Sequence, residues 1–275
     1  MRWFLCLTWY AGASVLRCSH LNRALSVNWG NIMNNPENRS DFSRFLVHLT
    51  RNSNGCSAKS NLINIIKDKT IEARNHHCLF SPKLKNMDVS DRLIKSFKTV
   101  CFTETPLDQL EKLTSDEFKR QKRLKPYGLV FWRHAMLKHG ANPAIYLNGK
   151  GTGLREYLLQ EFDNHFDGVK TVTKLKRHND NYQDILHYYS LVNVMNESHD
   201  FSWEREWRYS GDFQFKFHEL VAIIAEDPEG FLEDCRNELG LRKSKVLNRI
   251  PIIAPHWSYE EVVEEMAIKI WQKDT

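Results

Sequence analysis

The segment Trp203-Glu204-Arg205-Glu206-Trp207-Arg208 opens the part of the sequence that decides the fold class. Charged residues fill the positions between its aromatic ones, and this period of two predicts a β-strand over residues 203–209. Downstream, the same criteria predict strands over 219–225 and 249–254 and helices over 228–239 and 259–271. Strands and helices therefore both occur between residues 203 and 271, which indicates a mixed α and β fold.

The same mixture extends upstream from this segment. Strands are predicted over 44–50, 98–103, 127–132 and 143–147, and helices over 61–69, 115–125, 134–139, 155–166 and 182–194. We find no internal repeat, linker or composition break. The sequence therefore predicts one α+β domain over residues 44–275, with a mixed, mainly antiparallel β core flanked by helices.

Residues 1–43 differ from the rest and are interpreted as an N-terminal extension, disordered or arising from a mis-assigned start. The first 16 residues superficially resemble a signal peptide, but Thr8, Trp9 and Tyr10 interrupt the apolar run. We favour a translation start at Met33. No run approaches the roughly 20 apolar residues that span a bilayer, so we expect no membrane association.

Composition bounds the function further. The 275 residues are 41% hydrophobic, enough for a sizeable core, and a net charge of +5 from 39 basic and 34 acidic residues is too mild for a dedicated nucleic-acid binder. Six scattered cysteines without a C-x-x-C pair indicate reduced thiols and a cytoplasmic location. The histidines form no H-E-x-x-H motif, so no metal cofactor is expected.

Glu204 and Glu206 are the candidate catalytic residues. On a strand they share a face and lie about 7 Å apart, close enough for one carboxylate to alter the pKa of the other. Such a pair suits a sugar hydroxyl and an oxocarbenium-like cation. The alternative is a solvated edge strand whose Glu and Arg residues pair across it.

Five further residues are candidates for cofactor binding. His48, Thr50 and Arg51, at a predicted strand end, offer an imidazole, a hydroxyl and a cation that suit a ribose and a phosphate. Thr103 ends another strand where a cleft would open, and Tyr127 could stack on a ring. The structural alternatives are a hydrogen-bonded histidine, turn chemistry before a proline and a core aromatic residue.

Six segments in this order resemble the AbiGi family of abortive phage resistance proteins. They are His48-Leu49-Thr50-Arg51, Asn61-Leu62-Ile63-Asn64-Ile65-Ile66, Val100-Cys101-Phe102-Thr103-Glu104-Thr105-Pro106-Leu107, Tyr127-Gly128-Leu129-Val130-Phe131, Asn142-Pro143-Ala144-Ile145-Tyr146 and Trp203-Glu204-Arg205-Glu206-Trp207-Arg208. This resemblance covers about residues 44–209. It implies a phage-defence or antitoxin component and carries no established chemistry.

The first segments also resemble, more weakly, the start of DarT-like ADP-ribosyltransferases. That resemblance implies an ADP-ribosyltransferase-like fold with NAD as cofactor, in which His48 binds the adenosine ribose and Tyr127 stacks on nicotinamide. Glu206 would stabilise the cation as nicotinamide leaves, and Glu204 would orient a protein or nucleic-acid acceptor. Arg208 departs from this scheme, because pairing would neutralise Glu206.

The sequence leaves two hypotheses for the function. The first is an NAD-dependent ADP-ribosyltransferase that acts in phage defence. The second is a non-enzymatic antitoxin or interaction module that binds a cognate toxin or antitoxin protein.

Overall fold

The computed structural model describes residues 42–74, 78–115, 124–149, 153–195 and 202–274. The expected N-terminal extension lies outside these residues, apart from its last two positions. Most of the helix predicted over 115–125 is also outside them.

Within these ranges, the elements occur along the chain as the sequence predicts in outline. The strands are β1 Phe45–Leu49, β2 Thr70–Ile71, β3 Thr99–Thr103, β4 Tyr127–Trp132, β5 Asn142–Pro143, β6 Ile145–Asn148, β7 Val192–Met195, β8 Glu206–Ser210, β9 Phe213–Gln214, β10 Leu220–Ala225 and β11 Ile252–Ile253. The helices are α1 Ala58–Asp68, α2 Ser81–Asn86, α3 Asp91–Ser96, α4 Leu110–Thr114, α5 Arg133–His139, α6 Gly153–Phe166, α7 Val172–His178, α8 Tyr182–Leu191, α9 Pro228–Leu247 and α10 Tyr259–Asp274.

In the described part of the chain, a seven-stranded sheet in the order β11-β10-β4-β1-β3-β8-β5 forms the centre. Its neighbours are antiparallel except for β10 and β11, which are parallel. Two small sheets accompany it, β2 with β9 and β6 with β7. The predicted fold class, a mixed and mainly antiparallel sheet flanked by helices, is confirmed.

The register of the central strands defines two faces. Val47 pairs with Thr103 and Thr103 with Glu206, so these side chains share one face, which we call the Glu206 face. Phe102 pairs with Trp207, and both point to the other side, which we call the Trp207 face. Each face is covered by a different set of helices.

On the Trp207 face, α1 and α9 contribute Leu62, Ile66 and Phe231 to a core that also contains Phe102 and Trp207. On the Glu206 face, residues of α4 and α10 pack against β1, β4 and β10. α8 lies over β8 on the same face, because Ser190 accepts a hydrogen bond from the buried Arg208 side chain. Together these layers bury the sheet on both sides.

A third apolar cluster joins α2, α3, α6, α7 and α8. Its centre is aromatic: the Phe80 ring stacks on Phe162 at 4.7 Å between centroids and meets Tyr189 edge to face at 4.6 Å. The sequence prediction missed α2, α3 and α7, which are short. Helices of six or seven residues carry too few apolar positions to show a clear period.

Two predicted elements are divided in the structure. The strand expected over 143–147 is two strands, β5 on the central sheet and β6 beside β7. The helix expected over 182–194 ends at Leu191, and the chain continues as β7. In both cases pairing with a distant strand decides the local structure, and local sequence does not report it.

Candidate functional site

The predicted strand over 203–209 is correct in its second half and wrong in its first. Ser202–Glu204 is a short 3-10 helix, and β8 begins at Glu206. Between them Arg205 has φ 45°, in the left-handed region that a residue with a Cβ rarely adopts. Glu204 and Glu206 are therefore not alternate residues of one strand, and the shared strand face predicted for them does not form.

Glu206 is the centre of a buried polar group that we call the Glu206 cluster, made of Glu206, Arg208, Tyr146, Cys101 and Ser190. Glu206 Oε2 accepts hydrogen bonds from Arg208 Nη2 at 2.9 Å and from the Tyr146 hydroxyl at 2.7 Å. Its side chain is 11% exposed and that of Arg208 is 2% exposed. Glu206 and Arg208 pair, as the alternative from sequence has it, but the solvated edge strand of that alternative is wrong, because β8 lies between β3 and β5 and both side chains are largely buried.

The charge state of this cluster follows from its contacts. Burial alone would raise the pKa of Glu206, but the Arg208 charge and the hydrogen bonds from Arg208, Cys101 and Tyr146 outweigh it and lower the pKa. Burial and the Glu206 charge raise the pKa of Tyr146. Glu206 is therefore a carboxylate at neutral pH, and Tyr146 is a neutral hydrogen-bond donor.

Arg208 is held from two sides. Its Nη1 donates to Ser190 O on α8 at 2.7 Å, and its Nη2 donates to Glu206. Its buried Nε makes no hydrogen bond within the described part of the chain. The guanidinium thus ties β8 to α8, which is a structural contribution that the sequence alone did not indicate.

Thr103, predicted to line a cofactor cleft, is buried and supports the backbone. Its hydroxyl lies 2.6 Å from Glu204 O and 2.8 Å from the Thr105 hydroxyl. Thr103 therefore holds the turn that carries Glu204. Glu204 itself is partly exposed and close enough to Tyr146 for its charge to raise the pKa of that residue.

A buried carboxylate that the sequence analysis missed lies next to Thr103. Glu104 accepts from Arg133 Nη1 at 3.1 Å and from the Trp207 indole Nε1 at 2.8 Å. All three residues are less than 10% exposed. They join β3, α5 and β8 at one corner of the sheet. Glu104 could have been identified from the sequence as an acidic residue within the mostly apolar segment 100–107.

His48, the predicted ribose ligand, lies on the Trp207 face, with its ring 5.8 Å from that of Phe102. Burial, together with the Arg51 and Arg74 charges, lowers its pKa to about 4 against one opposing hydrogen bond to Cys101 O. A carbonyl oxygen can only accept, so Nδ1 carries the proton in that 2.8 Å bond. The imidazole is therefore neutral at pH 7.

Thr50 and Tyr127 meet at one end of the sheet. The Thr50 backbone N–H donates to Tyr127 O at 2.7 Å, and its hydroxyl lies 2.9 Å from Ala58 O. Arg51 follows directly, and its carbonyl accepts from the Asn61 side chain. These predicted ligand residues thus belong to a junction between β1, α1 and β4.

Tyr127 also lines a cavity of about 540 Å³, which we call the Tyr127 groove. Its walls come from the first turn of α1, the end of α4, the start of β4 and the loops after β10 and β11. The lining residues are Asn52, Ser57, Ala58, Lys59, Glu111, Thr114, Ser115, Lys125, Pro126, Tyr127, Glu226, Pro255 and His256. Neither of the two candidate catalytic glutamates is among them.

The predicted site residues thus lie in three separate parts of the molecule. Glu206, Thr103 and the turn at Glu204 lie together on the Glu206 face, while His48 points to the Trp207 face. Tyr127 lines the groove at the sheet end. His48 and Glu206, which the DarT resemblance would place around one NAD molecule, lie on opposite faces of the sheet.

Two general features complete the site description. Within the described ranges, no group of three or more His, Cys, Asp or Glu side chains is placed to hold a metal ion. Among the same residues, no helix is long and apolar enough to cross a membrane.

The fold and site together define a mixed α/β protein with a buried ion-paired cluster in its sheet and a separate polar groove at the sheet end. Comparisons with protein-family models, curated proteins and solved structures gave no significant match.

Proposed function

We propose that this chain is a phage-defence protein of the AbiGi type that acts as a non-enzymatic antitoxin or interaction module. The observation that carries the proposal is the Glu206 carboxylate, which is shared between buried Arg208 and Tyr146 and lies on the face opposite to His48. A carboxylate with these partners stabilises the fold. It is poorly placed to meet a cation that forms on a substrate held by His48.

The segments that carry the AbiGi resemblance support this role. They supply β1, α1, β3, β4, β5 and β8, and the strands among them lie side by side in the sheet. Their polar residues bind one another: Glu104 contacts Trp207, and Thr103 contacts the Glu204 backbone. The resemblance therefore rests on residues that build the sheet, which agrees with a family resemblance that implies no established chemistry.

The test is co-expression with the product of the adjacent gene. A stable complex that relieves the toxicity of that product supports the proposal. The charge-reversal variant Arg208→Glu serves as a folding-defective control that should lose the complex. Absence of both complex and relief, in a chain shown to be folded by its near-UV circular dichroism, contradicts the proposal.

A second candidate is an NAD-dependent ADP-ribosyltransferase with a protein or nucleic-acid acceptor. It is favoured by the lowered pKa of Glu206, since such an enzyme needs an ionised carboxylate at this position. In this candidate Glu206 stabilises the positive charge on the ribose and Glu204 orients the acceptor.

The two candidates differ in one measurement. For the transferase, wild type releases nicotinamide from NAD and Glu206→Gln does not, although Glu206→Gln keeps the near-UV circular dichroism of a folded chain and melts at a lower temperature than wild type, because the buried Arg208 loses its partner. Millimolar NAD would also raise the melting temperature of wild type, because a ligand that binds the folded state stabilises it. For the interaction module, neither wild type nor Glu206→Gln releases nicotinamide, and a shift in melting temperature without that release does not support the transferase, because binding of NAD elsewhere on the chain would also cause it.

A further inference from the structure

We propose that the Tyr127 groove binds a nucleoside monophosphate. This site goes beyond the proposed function and does not depend on it. The groove volume of about 540 Å³ lies within the range of small-molecule sites, which is roughly 300–1,000 Å³. It has room for a base, a ribose and a phosphate.

An aromatic ring is available for the base. Tyr127 is half-buried, and its ring packs against the apolar core that contains Phe231, with 6.2 Å between the two ring centroids. Pro126 and Pro255 add apolar surface to the same lining. A held aromatic ring beside prolines favours a planar, uncharged ligand group, because every base has a π face that can stack.

The charges of the lining residues favour a ligand with a single phosphate group. Among the described residues that line the groove are two lysines and two glutamates, whose formal charges cancel. Lys59 is already paired with Asp234 at 2.6 Å, whereas Lys125 forms no ion pair with any residue that the structure describes. The first turn of α1 contains no acidic residue and adds a positive partial charge. One phosphate is therefore accommodated near Lys125, and further phosphates would approach Glu111 and Glu226.

Hydrogen-bond capacity remains for the sugar. The Ser115 hydroxyl is buried at the groove wall and has no hydrogen-bond partner within the described ranges. Rotation about the Cα–Cβ bond of Ser115 would turn this hydroxyl into the groove, where it could hydrogen-bond a ribose hydroxyl. Glu226, whose Oε2 lies 3.5 Å from the Tyr127 hydroxyl, presents an acceptor for ribose hydroxyl donors beside the ring.

The test is isothermal titration calorimetry of the full chain with the four common nucleoside 5′-monophosphates, the matching nucleosides, ATP and inorganic phosphate. We expect at least one monophosphate to bind saturably, and more tightly than its nucleoside, ATP or phosphate. The proposal is overturned if no monophosphate binds, if phosphate alone binds as tightly, or if ATP binds more tightly.

Variants locate the binding. Lys125→Gln should weaken the monophosphate by about tenfold and leave the nucleoside unchanged, as expected for loss of one charge-assisted contact. Lys138→Gln, an exposed lysine on α5, is the matched control and should bind as wild type. Equal affinity in Lys125→Gln and wild type would place the ligand elsewhere and overturn the proposal. Glu206→Gln should bind as wild type, which separates this site from the proposed function.

Discussion

The Glu206 cluster and the Tyr127 groove contain similar side chains in different arrangements. In the cluster, acid, guanidinium and tyrosine hydroxyl contact one another inside the protein, and Arg208 is 1% exposed. In the groove, acids, lysines and a tyrosine line about 540 Å³ of open space. Charged residues near an aromatic one therefore do not mark a binding site by themselves. In the cluster, both Arg208 and Tyr146 donate to Glu206, although Arg208 Nε has no hydrogen-bond partner within the described ranges. In contrast, Lys125 in the groove forms no ion pair with a described residue.

The largest predicted effect comes from breaking the cluster. Arg208→Met should destabilise the protein by about 3–5 kcal/mol, because it leaves the Glu206 carboxylate buried without its cation. The measurement is the free energy of unfolding from urea titration at pH 7. Arg155→Ala removes an arginine whose pair with Glu156 is exposed, and should change that free energy little.

The double variant Arg208→Met with Glu206→Gln sharpens this prediction. Removing both charges should recover part of the lost stability, since the uncompensated carboxylate is then absent. If Arg208→Met has the wild-type free energy of unfolding, the buried Glu206 carboxylate does not depend on Arg208, and the contrast between the paired cluster and the open groove is wrong.

The second prediction concerns Gly128 in β4, the strand whose first residue, Tyr127, lines the groove. A Cβ on Gly128 would lie 2.4 Å from His48 O, a backbone atom that cannot move aside. Gly128→Ala should therefore destabilise the protein by about 3 kcal/mol, at the upper end of overpacking costs. Gly153→Ala is the matched control, because a Cβ there meets open space. Equal melting temperatures for the two variants would contradict the close approach of β1 and β4.

The third prediction concerns how protein stability depends on pH through His48, which lies on the Trp207 face. The pKa of His48 is about 4 in the folded protein and 6.5 ordinarily, so folding favours the neutral ring. Its contribution is complete above pH 6.5 and is lost as pH falls toward 4, because the unfolded chain binds the proton first. We expect a loss of about 3 kcal/mol over this range.

The comparison is with His48→Asn, which keeps a side-chain donor and cannot titrate in this range. The difference in unfolding free energy between wild type and His48→Asn should change between pH 6.5 and pH 4. The same change should appear in a Glu206→Gln background, since Glu206 lies on the other face. Parallel pH curves for wild type and His48→Asn would contradict the buried, neutral imidazole.

The sequence predicted the central strands well because their signals are local. The run of six residues from Tyr127 to Trp132 is a strand with those bounds, and Gly140 ends α5 with φ 98°, a conformation that favours glycine. The turn at Arg205 escaped prediction because Thr103, about 100 residues earlier, holds the Glu204 carbonyl.

The site was predicted less completely, for a physical reason. Pairing of Glu206 with Arg208 follows from their spacing on one strand, and the structure confirms it. Tyr146 belongs to a different strand of a different sheet, and no local pattern links it to Glu206. Which face His48 occupies depends on strand register, where a shift of one residue exchanges the two faces.

The smallest predicted effect tests whether Tyr146 contributes to the cluster. Tyr146→Phe removes the hydroxyl that donates to Glu206 at 2.7 Å and leaves the ring in place, so the expected loss is about 1 kcal/mol. Losing this donor also raises the pKa of Glu206, whose stabilising effect is present above its ordinary pKa and is lost as pH falls. Acid unfolding of Tyr146→Phe should therefore begin at a higher pH than in wild type. Tyr157→Phe, at a side chain that is 57% exposed, should leave both quantities unchanged. If Tyr146→Phe and Tyr157→Phe behave alike, the carboxylate is held by Arg208 without help from the tyrosine.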